Sequence, residues 1–218
     1  MRISIHQPQY MPWIGYFNKI AQSDIFVFLD NVQFKKNEWQ HRNRIRNSQK
    51  WQWLSIPNSY TFPQLITEVK IANNIWQKKH LRSIQICYGK APFYKEYIHE
   101  FEEFYSRTWS TIDRVSIDST GLLLKILGIT VQTEISSHYN FDGQSSERLV
   151  NICKHFNADA YLAGTGGKNY MDAGLFDRSG ITVEYQDFHC PVYKQHWSKT
   201  GEDFIPDLSI LDLIFNCG

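Results

Sequence analysis

The beginning of the chain changes from one backbone pattern to another within a few residues. Ile3 and Ile5 alternate with polar neighbours as in a short strand, and Pro8 and Pro12 prevent that strand from continuing. Apolar residues at helical spacing follow over Trp13–Ile20. The order of strand, tight loop and helix favours an open α/β sheet, in which ligands bind outside the carboxyl ends of the strands.

Three residues of this opening unit are candidate functional residues. His6, Gln7 and Gly15 are expected beside the amino end of the first helix, where unpaired backbone N–H groups favour anions. We predict His6 as a catalytic acid or base, or as a phosphate contact. The alternative is an imidazole that only bonds a neighbouring carbonyl group, and the sequence leaves both open.

Apolar strand patterns alternate with amphipathic helix patterns along most of the chain. The later strand patterns are Ile25–Leu29, Thr130–Ser136, Ala160–Ala163 and Ile181–Tyr185. Helix patterns cover residues 76–87, 94–105, 112–126, 149–156 and 210–215, with Ser110 and Asp113 as a capping box for the third of them. Such alternation predicts parallel crossovers, and therefore an α/β fold with a mostly parallel sheet and flanking helices.

Composition limits the class of protein. With 218 residues and no linker rich in Pro, Gly or Ser, the chain is predicted to form a single domain over residues 1–218. A net charge of +1 argues against a general nucleic-acid binder. No apolar run approaches the roughly 20 residues of a membrane span, and no signal-peptide pattern opens the chain, so we expect a cytoplasmic protein. The four cysteines are far apart and are expected to be reduced thiols.

An antiparallel excursion is predicted after the second strand. Trp51–Ile56 and Thr67–Ile71 alternate as strands, and Pro57–Gln64 is a turn-rich join between them. The preceding segment, Asn31–Lys50, is polar and basic. We expect this segment to be a loop or a mobile lid.

The basic segment contains two candidate anion contacts. Arg42 and Arg44 can clamp phosphate or carboxylate groups through bidentate hydrogen bonds. Indole rings at Trp39, Trp51 and Trp53 provide stacking surfaces beside these arginines, which suits a base, a sugar or a nucleic-acid strand. A solvated basic surface is the alternative.

A glycine-rich segment follows the strand at Ala160–Ala163 and is expected to open a helix. Glycine lets the backbone approach an anion closely, and Lys168 adds a positive charge. The segment is neither a Walker A loop nor a complete G-x-G-x-x-G fingerprint. We predict Lys168 as a catalytic residue and its neighbours as ligand contacts, with a tight turn as the alternative. The segment consists of Gly164, Thr165, Gly166, Gly167, Lys168, Asn169 and Tyr170.

The two candidate catalytic residues are expected to meet. If the sheet is parallel, the loops after Ile5 and Ala163 leave the same edge, so His6 and Lys168 should face one cleft. No metal is predicted, because the spacing of His189, Cys190 and His196 matches no zinc pattern. The sequence identifies no cofactor, and it has no G-x-S-x-G motif for a serine nucleophile.

Several motifs together resemble the WbqC-like protein family over nearly the whole chain. They are HQPQYMPWIGYF from His6, LDNVQF from Leu29, Arg42-Asn43, GTGGKNY from Gly164 and SILDLIFNCG from Ser209. The family occurs in bacterial gene clusters for O-antigen and other surface polysaccharides, and a glycine transferase role has been suggested for it. The resemblance implies ligand contacts at Asp30, Gln33 and Asn43, beside those predicted above.

The opening unit also resembles the first unit of the nucleotidylyltransferase-like superfamily, which implies a HUP-type core with an added antiparallel and helical excursion. That superfamily uses an H-x-G-H type motif, whereas Trp13-Ile14-Gly15-Tyr16 lacks both histidines. Either His6 replaces one of them or the nucleotide chemistry is lost.

The resulting function hypothesis is a transferase in lipopolysaccharide or other polysaccharide biosynthesis. It would move an aminoacyl or acyl group to a nucleotide-activated sugar, and its partner would be a small-molecule substrate such as a nucleotide-sugar or an activated donor. Nucleotidyl transfer from a nucleoside triphosphate is one alternative. A non-catalytic module that binds a nucleotide-sugar or nucleic acid is another, although nucleic acid is not the expected partner.

Overall fold

The computed structural model describes residues 1–169, 171–200 and 203–218, which form two sheets and their flanking helices. The strands are β1 (Arg2–His6), β2 (Ile25–Phe28), β3 (Arg42–Arg46), β4 (Trp51–Ser55), β5 (Gln132–Ile135), β6 (Ala160–Ala163) and β7 (Thr182–Tyr185). The helices are α1 (Ile14–Ala21), α2 (Ile75–Tyr88), α3 (Tyr94–Ser106), α4 (Ile112–Ile126), α5 (Ser145–His155), α6 (Ala173–Arg178) and α7 (Leu211–Cys217). Short 3-10 helices lie at Ile66–Glu68, Ser136–His138 and Thr165–Asn169.

Five strands form one parallel sheet in the order β5-β2-β1-β6-β7. The mostly parallel α/β sheet predicted from the sequence is therefore confirmed, while the HUP-type assignment stays a prediction. From β1 the chain continues to β2 on one side, whereas β6 and β7 lie on the other side. This reversal of strand order creates a topological switch point at β1, where open α/β sheets bind ligands.

The sheet separates two apolar cores. Ile5 and Val27 project toward the face covered by α5 and α6. Phe26 and Phe28 project toward the opposite face, which α1 and the other helices cover. Because side chains alternate along a strand, His6 lies on this second face and contacts α1.

The basic segment forms half of a β-hairpin. Strand β3 pairs antiparallel with β4, and Arg44 lies opposite Trp53. The prediction of a loop over Asn31–Lys50 was therefore wrong for Arg42–Arg46, while the prediction of a mobile lid stays a prediction. The opposite face of the hairpin buries Ile45 and Leu54 in the core, and this burial stabilises a strand that is otherwise rich in arginine.

The prediction of a strand at Thr67–Ile71 was also wrong. Its first residues form the 3-10 helix Ile66–Glu68, and the rest makes two isolated bridges, Lys70 with Thr111 and Ile71 with Asn58. Successive residues therefore bond different neighbours instead of one strand. The antiparallel partner of β4 is β3, which lies next to it in sequence.

The capping box predicted at Ser110 and Asp113 was wrong as well. Helix α4 has Thr111 as its N-cap, and the Thr111 side chain makes no capping hydrogen bond. Ile112 and Val115 are completely buried, so packing against the core fixes the start of the helix.

No helix in the three described ranges is both long and apolar enough to cross a membrane. The four cysteines are free thiols, as their spacing predicts, and Cys87 and Cys153 are buried.

Candidate functional site

His6 ends strand β1 at the switch point of the sheet. Its Nδ1 lies 3.0 Å from the Gln7 carbonyl oxygen, which only accepts hydrogen bonds, so the neutral ring carries its proton on Nδ1. Tyr16 packs edge-on against the imidazole and donates its hydroxyl proton to the same carbonyl. The ring is thereby fixed, and Nε2 remains as the hydrogen-bond acceptor.

Burial keeps the imidazole neutral. The pKa of His6 is lowered from 6.5 to about 3, chiefly by loss of solvation and further by the positive charge of Lys19. Lys19 is itself buried and donates to the carbonyl of Ile5 at 3.1 Å, and burial lowers its pKa to about 7. A neutral His6 can accept a proton or a hydrogen bond, but it supplies no permanent positive charge for a phosphate.

His6 lines a cavity of about 510 Å³ that we call the aromatic cavity. Two indole rings, three carboxamides of glutamine and two carboxylates form much of its wall. The lining residues are His6, Gln7, Gln9, Trp13, Lys35, Glu38, Trp39, Gln40, Asn43, Arg44 and Asp207. Apolar ring faces beside a few polar groups are typical of small-molecule sites.

The glutamine carboxamides of the aromatic cavity differ in how their hydrogen bonds are satisfied. Gln40 donates from Nε2 to Oε1 of Gln7 at 2.7 Å, and its own Oε1 accepts from the backbone of Lys35. Gln9 is 8% exposed, and its Oε1 has no hydrogen-bond partner among the described residues. A buried acceptor without a partner is costly unless a ligand or water satisfies it.

A second cavity, of about 840 Å³, lies at the carboxyl ends of β1 and β2 and beside the start of α5; we call it the basic cavity. Arg148 donates to the backbone carbonyls of Gly143 and Asn31, so its charge has no carboxylate partner in the described part of the chain. Lys35 adds a second positive charge. The lining residues are Ile5, His6, Gln7, Leu29, Asn31, Val32, Gln33, Lys35, Leu65, Gln144, Ser145, Arg148, Leu149 and Tyr161.

The two cavities adjoin. His6, Gln7 and Lys35 line both of them. The basic cavity combines two positive side chains with the amino end of α5, an arrangement that favours an anion. The aromatic cavity favours a ligand with a ring face and hydrogen-bonding groups, so the pair can hold two parts of one ligand, or two ligands, on either side of His6.

The glycine-rich segment lies apart from these linings. Residues 165–169 form a 3-10 helix, and α6 begins only at Ala173, so the segment does not open the predicted helix directly. Neither cavity lined by His6 has Lys168 among its described lining residues. Lys168 is exposed, with its ammonium 5.0 Å from the centroid of the Tyr185 ring. The cleft predicted for His6 and Lys168 stays a prediction.

The glycines of this segment differ in what surrounds them. A Cβ at Gly167 would lie 2.8 Å from the sulfur of Met171 and 3.2 Å from the Cβ of Ala163, so close packing explains this glycine. Gly164 and Gly166 face open space, which leaves room for a ligand near the backbone. Thr165 is exposed, and the predicted contact at Tyr170 lies outside the described residues, as does the side chain of Asn169.

Two other predicted ligand contacts interact with neighbouring residues of the fold. A Cβ at Gly15 would lie 2.1 Å from Cη2 of Trp13, so this glycine makes room for the indole. Asp30 is completely buried and accepts hydrogen bonds from the backbone and hydroxyl of Ser137. Gly15 therefore has a role in packing and Asp30 a role in holding Ser137, and neither is among the described lining residues of the two cavities.

Three further predicted contacts lie on the hairpin. Asn43 donates to the Met11 carbonyl and accepts from the backbone of Arg44, so its carboxamide is occupied although it lines the aromatic cavity. The Arg44 guanidinium lies 5.3 Å from the ring centroid of Trp51. Arg42 packs over Trp53 at 4.2 Å and lies outside both linings.

Sequence reasoning did not single out Gln9, Glu38, Arg148 or Asp207. Gln9 belongs to the motif that begins at His6, so its closeness to His6 in the sequence could have identified it as a candidate. Arg148 had no local signal, because an arginine on an amphipathic helix normally marks a solvated face. The described residues contain no group of three or more His, Cys, Asp or Glu side chains suited to a metal ion.

Comparison with known proteins gives two matches. The model of the WbqC-like protein family matches residues 7–218. The uncharacterized protein Rv1507c of Mycobacterium tuberculosis (strain ATCC 25618 / H37Rv) is 34% identical over 223 residues, which cover 100% of this chain and 94% of the relative. No solved structure matches the chain closely enough to count as a relative.

Proposed function

Because this chain belongs to the WbqC-like protein family, we propose that it is a transferase that acts on a nucleotide-activated sugar in bacterial surface-polysaccharide assembly. The proposed reaction moves an aminoacyl or acyl group from an activated donor to a hydroxyl or amino group of the sugar. The family membership supports the pathway, and the arrangement of the two cavities supports the type of reaction.

One observation carries the proposal: His6, Gln7 and Lys35 line both cavities. A nucleotide-sugar that spans both cavities would place its acceptor group beside His6, where the transfer needs a proton acceptor. The basic cavity supplies the charge for a phosphate group, through Arg148, Lys35 and the amino end of α5.

His6 is the proposed general base. Its Nε2 would take the proton that the attacking hydroxyl or amino group loses as the new bond to the acyl carbon forms. The bond from that carbon to the donor's leaving group then breaks, and the leaving group departs with the electron pair and takes the proton from Nε2. The low pKa of His6 in the unliganded protein makes it a weak base, but a phosphate bound in the basic cavity would raise that pKa. Tyr16 and Lys19 hold the backbone on either side of the imidazole and so keep its orientation.

The experiment begins with a thermal-shift screen of nucleotide-sugars and of aminoacyl and acyl donors, followed by calorimetry and a turnover assay. His6→Ala should lower turnover by about 100-fold or more while the Kd of the nucleotide-sugar stays nearly unchanged. His99→Ala, on the exposed surface of α3, serves as the matched control. Unchanged turnover in His6→Ala would refute the role of the histidine.

Nucleotidyl transfer is the second candidate, because a basic cavity at the switch point also suits a triphosphate. Release of pyrophosphate from a nucleoside triphosphate would favour it over acyl transfer. Salt-sensitive binding of a nucleic-acid strand without turnover would instead favour a non-catalytic module.

A further inference from the structure

We propose that the aromatic cavity is a sugar subsite and that Gln9 orients the sugar by accepting a hydrogen bond from one of its hydroxyl groups. The inference rests on the proposed function, since it assigns the sugar part of the substrate to one of the two cavities. In this proposal Gln9 is the residue that discriminates a sugar from other ligands.

Gln9 is a buried residue in the wall of the aromatic cavity. This side chain is 8% exposed, lines the aromatic cavity, and leaves its Oε1 without a hydrogen-bond partner among the described residues. The unsatisfied atom is an acceptor, so the complementary ligand group is a donor such as a hydroxyl. A phosphate or carboxylate, which only accepts, does not satisfy it.

The other polar groups of the aromatic cavity also select for hydroxyl groups. Glu38 and Asp207 contribute two carboxylates, which accept hydrogen bonds, while Lys35 and Arg44 contribute two cationic donors that balance the charge of the wall. Gln7 uses its Oε1 to accept from Gln40, so its NH₂ group is left as a donor in the described part of the chain. A hydroxyl group donates and accepts at once, and can therefore bridge such a mixture of acceptors and donors.

Two indole rings complete the sugar subsite. Trp13 and Trp39 line the aromatic cavity, and Trp39 is 37% exposed. Indole faces pack well against the C–H face of a pyranose ring, while the hydroxyl groups at the ring edge meet the polar wall. A nucleobase also stacks on indoles, but it presents fewer donors to the acceptors of this cavity.

The two cavities then divide one substrate between them. The sugar ring lies in the aromatic cavity, and the phosphate groups lie in the basic cavity beside Arg148. His6, which lines both, is adjacent to the junction between sugar and phosphate.

The test uses saturation-transfer NMR with free methyl glycosides of hexoses and N-acetylhexosamines, and with uridine and adenosine for comparison. We expect at least one glycoside to bind, and Gln9→Leu to weaken that binding by about tenfold or more. Gln49→Leu is the matched control, because Gln49 is exposed and lies outside both linings. The melting temperature of Gln9→Leu should equal or exceed that of the parent, since no protein hydrogen bond of Oε1 is lost.

Three results would overturn the sugar subsite: binding of nucleosides but of no glycoside, binding of no probe, or glycoside binding that Gln9→Leu leaves unchanged. The proposed function fails separately. Glycoside binding through Gln9 without transfer would retain the subsite and remove the transferase. Transfer without Gln9-dependent glycoside binding would remove the sugar subsite and retain the transferase.

Discussion

Protonation of one buried histidine should make this protein unstable in mild acid. His80 is 5% exposed and belongs to a buried chain of hydrogen bonds. Its Nε2 lies 3.2 Å from the Ser55 carbonyl, so Nε2 carries the proton and Nδ1 accepts from the Tyr10 hydroxyl at 2.9 Å. The Tyr10 hydroxyl also lies 2.6 Å from the Tyr105 hydroxyl, and the two share a hydrogen bond. Burial of the ring favours the neutral imidazole in this chain of bonds.

The magnitude follows from the pKa of this group. Burial lowers the pKa of His80 from 6.5 to about 4, so the unfolded chain binds the proton first as the pH falls. The stability contributed by neutral His80 is fully present above pH 6.5 and is lost as the pH falls toward 4. One proton corresponds to about 1.4 kcal/mol for each pH unit, or about 3 kcal/mol over this window.

Urea unfolding at a series of pH values between about 7 and about 5 measures this effect. In His80→Gln the free energy of unfolding should change less between these two pH values, by about 2 kcal/mol in total. The difference between variant and parent isolates His80 from His41, whose pKa burial also lowers to about 4. His99→Gln, which removes an exposed imidazole, should match the parent. Parallel curves for parent and His80→Gln would refute a neutral buried His80.

Three other changes have expected outcomes. Asp212→Ala should lower the free energy of unfolding in urea by about 3 to 5 kcal/mol. This buried carboxylate accepts hydrogen bonds from two tyrosine hydroxyls and one glutamine amide. A loss under 1 kcal/mol would contradict this role. Gly15→Ala should cost about 1 to 3 kcal/mol in the same assay by displacing the Trp13 indole, and equal stability would contradict that packing. By calorimetry, Arg148→Met should weaken binding of a nucleoside diphosphate by about 1.5 to 3 kcal/mol. An effect of Lys168→Ala alone would place the phosphate at the glycine-rich segment instead.

The parallel sheet was predictable because its strands carry a local signal. A short, continuous apolar run such as Ile25–Phe28 is typical of a strand buried on both faces, and helix patterns before and after it favour parallel crossovers. Strand β3 carries no such signal, since only one of the five residues of RNRIR is apolar. Its pairing with β4 depends on contacts between strands, including Arg42 over Trp53 at 4.2 Å.

The sequence by itself determined the order of the parallel strands and of most of the helices along the chain, and it placed His6 at the carboxyl end of the first strand. These properties follow from the periodicity of burial, which a few neighbouring residues encode. Only the tertiary structure decided which polar groups share a cavity with His6. Arg148 and Lys35 come from a distant helix and a loop, and Gln9, whose Oε1 lacks a hydrogen-bond partner in the described chain, shares a cavity with two residues of the hairpin, Asn43 and Arg44. The meeting of these polar groups in one place depends on the packing of elements that are distant in the sequence, so no local sequence pattern predicts it.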